Sequence, residues 1–246
     1  MGNPLDTSAL PLVQAREELA ALCRAATDAH RTDDACALAV ALARVVDQQR
    51  EGCLTTDECA LISRAYDEAF AATGRARAEV IALGERAPFV AYARHVVDEA
   101  LARAREAIAV LTPLASGALA VHDERAVAAH KTLADRHVEL ARLAPSGDDG
   151  AAAEAIYERA LALAASTLPP AHPLRLGLVL NYVRCEYEIL LKHKQAATVA
   201  KRAFDDAIAR LDQLEEAATG ESSTELLQAL REQLRAWAAA DAGAAS

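Results

Sequence analysis

The chain has 246 residues and a net charge of −10, with no basic patch interleaved with aromatics, so nucleic acid and anionic membranes are excluded as natural partners. No apolar run approaches the roughly 18 residues that a membrane-spanning helix needs. Apolar residues make up 53% and aromatics only 4%, and with ten glycines and eight prolines the composition is that of an all-α chain rich in alanine.

The periodicity is helical throughout and predicts nine antiparallel helices. Leu12, Leu19, Leu22 and Cys23 mark a first, over roughly 10–27. Thr32-Asp33 caps a second, over roughly 33–49, and "LTTDE" opens a third through Thr55 or Thr56, reaching about 85. Pro88 starts a fourth, to about 115, and Gly117 separates it from a fifth over about 123–144. "PSGDDG" (145–150) is the clearest loop, and a sixth helix follows over about 151–166. "TLPPAHP" breaks it before a seventh over about 172–192; an eighth covers about 195–216, "ATGESS" turns, and a ninth covers about 223–239. Residues 1–9 read as a tail, 10–240 as one helical domain and 241–246 as a disordered end. Successive hairpins burying their faces on one another describe an α-solenoid-like protomer.

Five cysteines at 23, 36, 53, 59 and 185, with no CxxC pair, read as reduced, buried thiols of a cytoplasmic protein. The N-terminus lacks a basic region and apolar core, so no secretory signal is expected; Asp6 breaks the myristoylation pattern begun by Gly2. Arginine (22) far exceeds lysine (4), which points to GC-rich codon usage and a bacterial source.

No catalytic constellation, metal site or cofactor motif emerges. Gly-rich phosphate loops, HExxH and GxSxG are absent from the sequence. His130 and His137 lie seven apart and read as surface histidines on an acidic helix. Cys59 in "DECA" has no basic neighbour to activate a thiolate. Asp205 and Asp206 diverge by about 100° around a helix and read as surface acids.

The seventh helix stands apart. At about 100° per residue, Gly177, Asn181, Arg184, Glu188 and Lys192 fall in one polar wedge of roughly 80°. Leu176, Val179, Leu180, Val183, Tyr187 and Leu190 cover one flank, and Leu178, Tyr182, Cys185 and Ile189 the other. A helix apolar on both flanks is packed between neighbours, so the wedge faces either solvent or a cavity lined by other helices.

"LPPAHPLRLGLVLNYVRCEYEIL", "AKRAFDDAIARLDQL" and "SSTELLQALREQLRAW" resemble, in order, the last three helices of 14-3-3 proteins. "RTDDACALA", "LTTDECALISRAYDEAF" and "ADRHVELARLA" resemble parts of the second, third and fifth, so the likeness spans about 10–240. It implies a dimer of nine-helix protomers, each a non-catalytic adaptor holding a partner peptide in an amphipathic groove. The matching positions make Asn181 the binder of the peptide backbone, with Leu180, Glu188, Lys131 and Trp237 as groove residues and Gln233 in place of a second asparagine. Arg31 and Asp34 match charges that bridge protomers.

The phosphate clamp of that family departs from its pattern here. Asp67 stands at its lysine, Gly74 at its first arginine with Arg75 one step off the face, and Val138 and Glu139 at its Arg-Tyr pair. Arg184 stands where the family has a small aliphatic residue. The resemblance therefore implies a groove repurposed for an unphosphorylated or otherwise unusual peptide. Two other outcomes stay open: a relocated anion site using Arg184 and Lys131, with Arg75 or Arg142, or a scaffold with an inert groove. Arg184 is expected to meet Asp67, Glu139 or Glu188 and to neutralise them, in preference to holding an anion.

Overall fold

A computed structural model describes residues 12–49, 52–118, 123–145, 147–210 and 223–244. Among them are nine α-helices: α1 (Leu12–Asp28), α2 (Thr32–Asp47), α3 (Thr56–Ala82), α4 (Ala87–Ala118), α5 (Glu124–Leu143), α6 (Asp149–Thr167), α7 (Pro173–Arg184), α8 (His193–Ile208) and α9 (Ser223–Ala244). A π-helical turn, Cys185–Ile189, follows α7 directly. Each helix packs on the next, and α3, α5, α7 and α9 also touch in sequence, so the odd-numbered helices form a continuous inner layer.

Local chemistry explains the boundaries. Thr55 caps α3 in a capping box: its hydroxyl accepts from the Glu58 amide while the Glu58 carboxylate accepts from the Thr55 amide. Glu58 also takes two hydrogen bonds from Arg16 of α1, at 2.6 Å each, which ties α1 to the start of α3. Thr32 does not cap α2; Arg31 occupies that place without a side-chain bond. Gly117 does not separate two helices but lies in the last turn of α4. Helix α9 continues through Ala244, where a disordered end was expected from 241; in this alanine-rich stretch helix propensity outweighs the single Gly243. Residues 1–9, 211–216 and most of "ATGESS" lie outside the described residues.

Two hydrophobic clusters share α5. The first joins α1–α5, with Leu19, Leu42, Ile62 and Leu114 almost fully buried; the second joins α5–α9 around Leu176, Leu178, Val183 and Leu230. Fourteen of the twenty α5 residues are buried, and alanines at 126, 128, 129, 134 and 141 let neighbouring helices approach closely. That central position sets the problem of the site, because α5 also carries Asp135, Arg136 and Glu139 inward.

Candidate functional site

The polar wedge of α7 faces a cavity and not solvent. A space of about 240 Å³ is lined by Asp67 and Phe70 of α3, Asp135, Val138, Glu139 and Arg142 of α5, Tyr157 of α6, and Asn181 and Arg184 of α7. Leu180 is buried beside it. The wedge ends at Arg184. The π-helical turn admits about one extra residue, shown by the Leu190 amide bonding the Cys185 carbonyl at 3.1 Å, and so breaks the 100° register. Glu188 consequently meets Arg142 at 2.7 Å, and Lys192 leaves the wedge to pair with Glu154 of α6.

The floor of the cavity is one carboxylate with three donors on it. Asp135 accepts from the Tyr157 hydroxyl at 2.5 Å and the Asn181 amide at 2.9 Å on one oxygen, and from Lys131 at 2.9 Å on the other. Burial, the largest influence, pushes its pKa up, but Lys131, Arg136 and these donors together hold it below the usual carboxylate value. Because a carboxylate only accepts, the Asn181 NH2 group must be the one engaged, and its carbonyl oxygen is left to the groove.

Arg136, which the sequence reading passed over, organises the acids on this side of the cavity. Its side chain is fully buried, yet it touches two acids: Asp67 Oδ1 at 2.9 Å and Glu139 Oε1 at 2.9 Å. The guanidinium also lies 5.0 Å from the centre of the Tyr66 ring. Glu139 is itself 7% exposed. Burial raises its carboxyl from the ordinary 4.5 to about 7, even against the attraction of Arg136. Arg136 responds in the opposite sense: against the cost of its own burial, Glu139, Asp67 and Asp135 raise its pKa further above its ordinary value.

Arg184 behaves differently from expectation. It reaches none of Asp67, Glu139 and Glu188; its Nε donates to Gln233 Oε1 of α9 at 3.2 Å. Arg136 and Arg142 have taken the acids, because both project from α5 between α3 and the π-turn. Lys131 is likewise committed to Asp135. The other predicted residues fall on the rim or beyond it. A Cβ at Gly74 would meet nothing within 4 Å, so this position contributes no wall, and Arg75 is exposed. Trp237 is 5% exposed and stacks on Tyr187 at 4.4 Å, which stacks in turn on His193 at 4.2 Å.

His130 is buried rather than superficial, its Nδ1 2.8 Å from the Ala126 carbonyl, while His137 pairs with Asp149; α5 turns both toward neighbouring helices because it is enclosed on most sides. Cys23, Cys36, Cys53, Cys59 and Cys185 are all buried free thiols, and Asp205 and Asp206 are surface acids paired with Lys201 and Arg202. Among the described residues no set of three His, Cys, Asp or Glu is arranged to hold a metal, and no helix is long and apolar enough to cross a membrane. Arg31 and Asp34 pair with each other within the chain.

The sequence can be placed among known proteins on this basis. The family model described as 14-3-3 protein matches residues 22–238. A rice (Oryza sativa subsp. japonica) protein, 14-3-3-like protein GF14-A, is 32% identical over 90% of this chain and 88% of its own length. A Chlamydomonas reinhardtii 14-3-3-like protein is 34% identical over 90% and 89%, and 14-3-3-like protein 1 of Caenorhabditis elegans is 32% identical over 93% of both chains. These relatives are eukaryotic and lend nothing to the bacterial source expected from codon usage. With nine described helices in the expected order and a family match across most of its length, the chain belongs to the 14-3-3 family of non-catalytic, partner-binding adaptors.

Proposed function

We propose that this protein holds a partner peptide in the groove between α3, α5, α7 and α9 without needing a phosphate on it. The observation that carries the reading is the Arg136–Asp67–Glu139 cluster, two of whose members, Asp67 and Glu139, stand where the resemblance expects clamp residues. Its single cation is fully buried and already faces two acids. A dianionic phosphate arriving there would meet Asp67, whose side chain is 66% exposed, before any free cation. Charge-assisted hydrogen bonds contribute about 1.5–3 kcal/mol each, so losing a set of them removes most of the reason to select phosphate. A relocated clamp built on Lys131 is weakened in the same way, since Lys131 is held by Asp135.

Asn181 is then the residue that engages the partner backbone, with Leu180, Arg184 and Gln233 near it and Glu188 and Trp237 further along, at the π-turn. The protein works as a cytoplasmic homodimer in this reading. Leu12, Val13 and Leu22 of α1, and Ile81, Leu83, Val90 and Tyr92 around the α3–α4 corner, are large apolar side chains left exposed on one chain. Arg31 and Asp34 are exposed enough to exchange their mutual pair for partners across an interface.

Fluorescence-anisotropy titration with phosphorylated and unphosphorylated forms of one 14-3-3 target peptide tests the proposal. The two forms should bind within about threefold of each other. Preference for the phosphorylated form beyond tenfold, about 1.4 kcal/mol, refutes it, and binding of neither form moves the reading to a scaffold with an inert groove.

A further inference from the structure

We infer that Arg184 is a specificity residue that docks a carboxylate side chain, Asp or Glu, of the partner peptide. The inference rests on the groove-binding reading above and assigns the chemistry of one subsite within it. Its starting point is a cation without an ionic partner. Four acids in and beside the cavity share three cations: Asp67 and Glu139 have Arg136, Asp135 has Lys131, and Glu188 has Arg142. Arg184 lines the same cavity, half-buried, and no carboxylate among the described residues comes within ion-pair reach of it. Its contact is the neutral amide of Gln233, made through Nε. The two terminal nitrogens of the guanidinium thus carry the unspent donors of a planar fork.

The shape and charge of the cavity favour a carboxylate over a phosphate. A planar monoanion matches the fork of one guanidinium with two parallel hydrogen bonds. A phosphate brings between 1.5 and 2 negative charges at neutral pH (roughly). One of these would be matched by Arg184; the remainder would lie in a space of about 240 Å³ whose other cations are already engaged, Arg136 with Asp67 and Glu139, Lys131 with Asp135 and Arg142 with Glu188. Lysine would not serve as well at this place, because its ammonium is a point charge without the fork. The neighbouring Asn181 carbonyl is free to accept a backbone N–H, so an extended segment held at Asn181 can set an acidic side chain on Arg184 from the same stretch of chain.

The test uses four degenerate nonapeptide pools that differ only in a fixed central residue: Glu, Gln, Lys or phosphoserine. Each is passed over the immobilised full-length protein and over its Arg184→Leu and Arg184→Lys variants. Thermal melts verify that each variant is folded. The wild type should retain the Glu pool at least tenfold over the Gln and Lys pools and more than the phosphoserine pool. Arg184→Leu should abolish the preference, and Arg184→Lys should keep only a few-fold remnant. Retention without a Glu preference, or a Glu preference that survives Arg184→Leu, overturns the inference while leaving the groove reading intact. A phosphoserine preference lost in Arg184→Leu overturns the choice of carboxylate. Retention of no pool overturns the groove reading and the inference with it.

Discussion

Glu139→Gln is the sharpest test of how the site is held together, because two effects of opposite sign meet on one carboxyl group. Burial disfavours the ionised form of Glu139, and the Arg136 contact at 2.9 Å favours it. Burial wins, with the carboxyl raised from 4.5 to about 7. In the unfolded chain the group loses its proton near its ordinary value; in the folded chain it keeps the proton longer. The folded state therefore binds more protons between pH 4.5 and about 7, and stability falls as pH rises through that window. Each pH unit of difference corresponds to about 1.4 kcal/mol, so the loss is on the order of 3 kcal/mol at most. Glutamine is the neutral isostere and carries no such dependence. Urea unfolding at half-unit steps from pH 4 to 8.5 should give equal midpoints for the two proteins at pH 4. By pH 7.5 the Gln variant should be more stable by about 1–3 kcal/mol, the lower figure allowing for an amide NH2 placed near Arg136. The window lies above the range in which Asp135 and Glu58, both held below their ordinary values, begin to protonate. If the Gln variant is less stable at pH 7.5, or if the two curves run parallel across the window, the ionised Glu139 is a net stabiliser and the argument from burial fails.

Two further predictions use the same molecule. Arg136→Met removes the buried cation but leaves Glu139 able to take up a proton; its cost should be about 1 kcal/mol near pH 6 and rise to about 3 kcal/mol by pH 9, read from urea midpoints. A cost independent of pH would show that Glu139 and Arg136 are not coupled. Val13→Asp places a charge within the exposed apolar face of α1, where Val13 is 65% exposed. Light scattering at tens of micromolar should then give a monomer where the parent gives a dimer, with an unchanged melting profile for the isolated protomer; a monomeric parent would refute dimerisation.

The helices were legible in the sequence because alanine and leucine repeat at helical spacing with few breakers between them. Errors fell where one residue was asked to settle a boundary. Gly117 did not end α4, and the alanine-rich end after residue 240 continued α9. The site was legible in part. Asn181 and Arg184 of the α7 wedge line one cavity, but the π-turn withdrew Glu188 and Lys192, and nothing in a hydropathy pattern marks a change from 3.6 residues per turn. Arg136 was missed for a different reason. On α5 it sits among polar letters that resemble a solvated face, and only tertiary enclosure buries it. A signal was nevertheless available: Glu139 lies three residues after Arg136, the spacing of a helical ion pair, and the resemblance sets two acids, Asp67 and Glu139, in one groove, where a cation is called for.

The hydrogen bond from Asn181 to Asp135 bears on what the groove can read. By engaging the NH2 group of Asn181 at 2.9 Å, Asp135 fixes which end of that amide looks outward. What remains is an oxygen, and an oxygen asks its visitor for a proton. Every residue of a partner chain can supply one from its backbone except proline, which has no N–H. On the groove-binding reading proposed above, a partner with proline at the register of Asn181 would arrive with nothing to give, and the fold would screen against that one residue through the backbone alone.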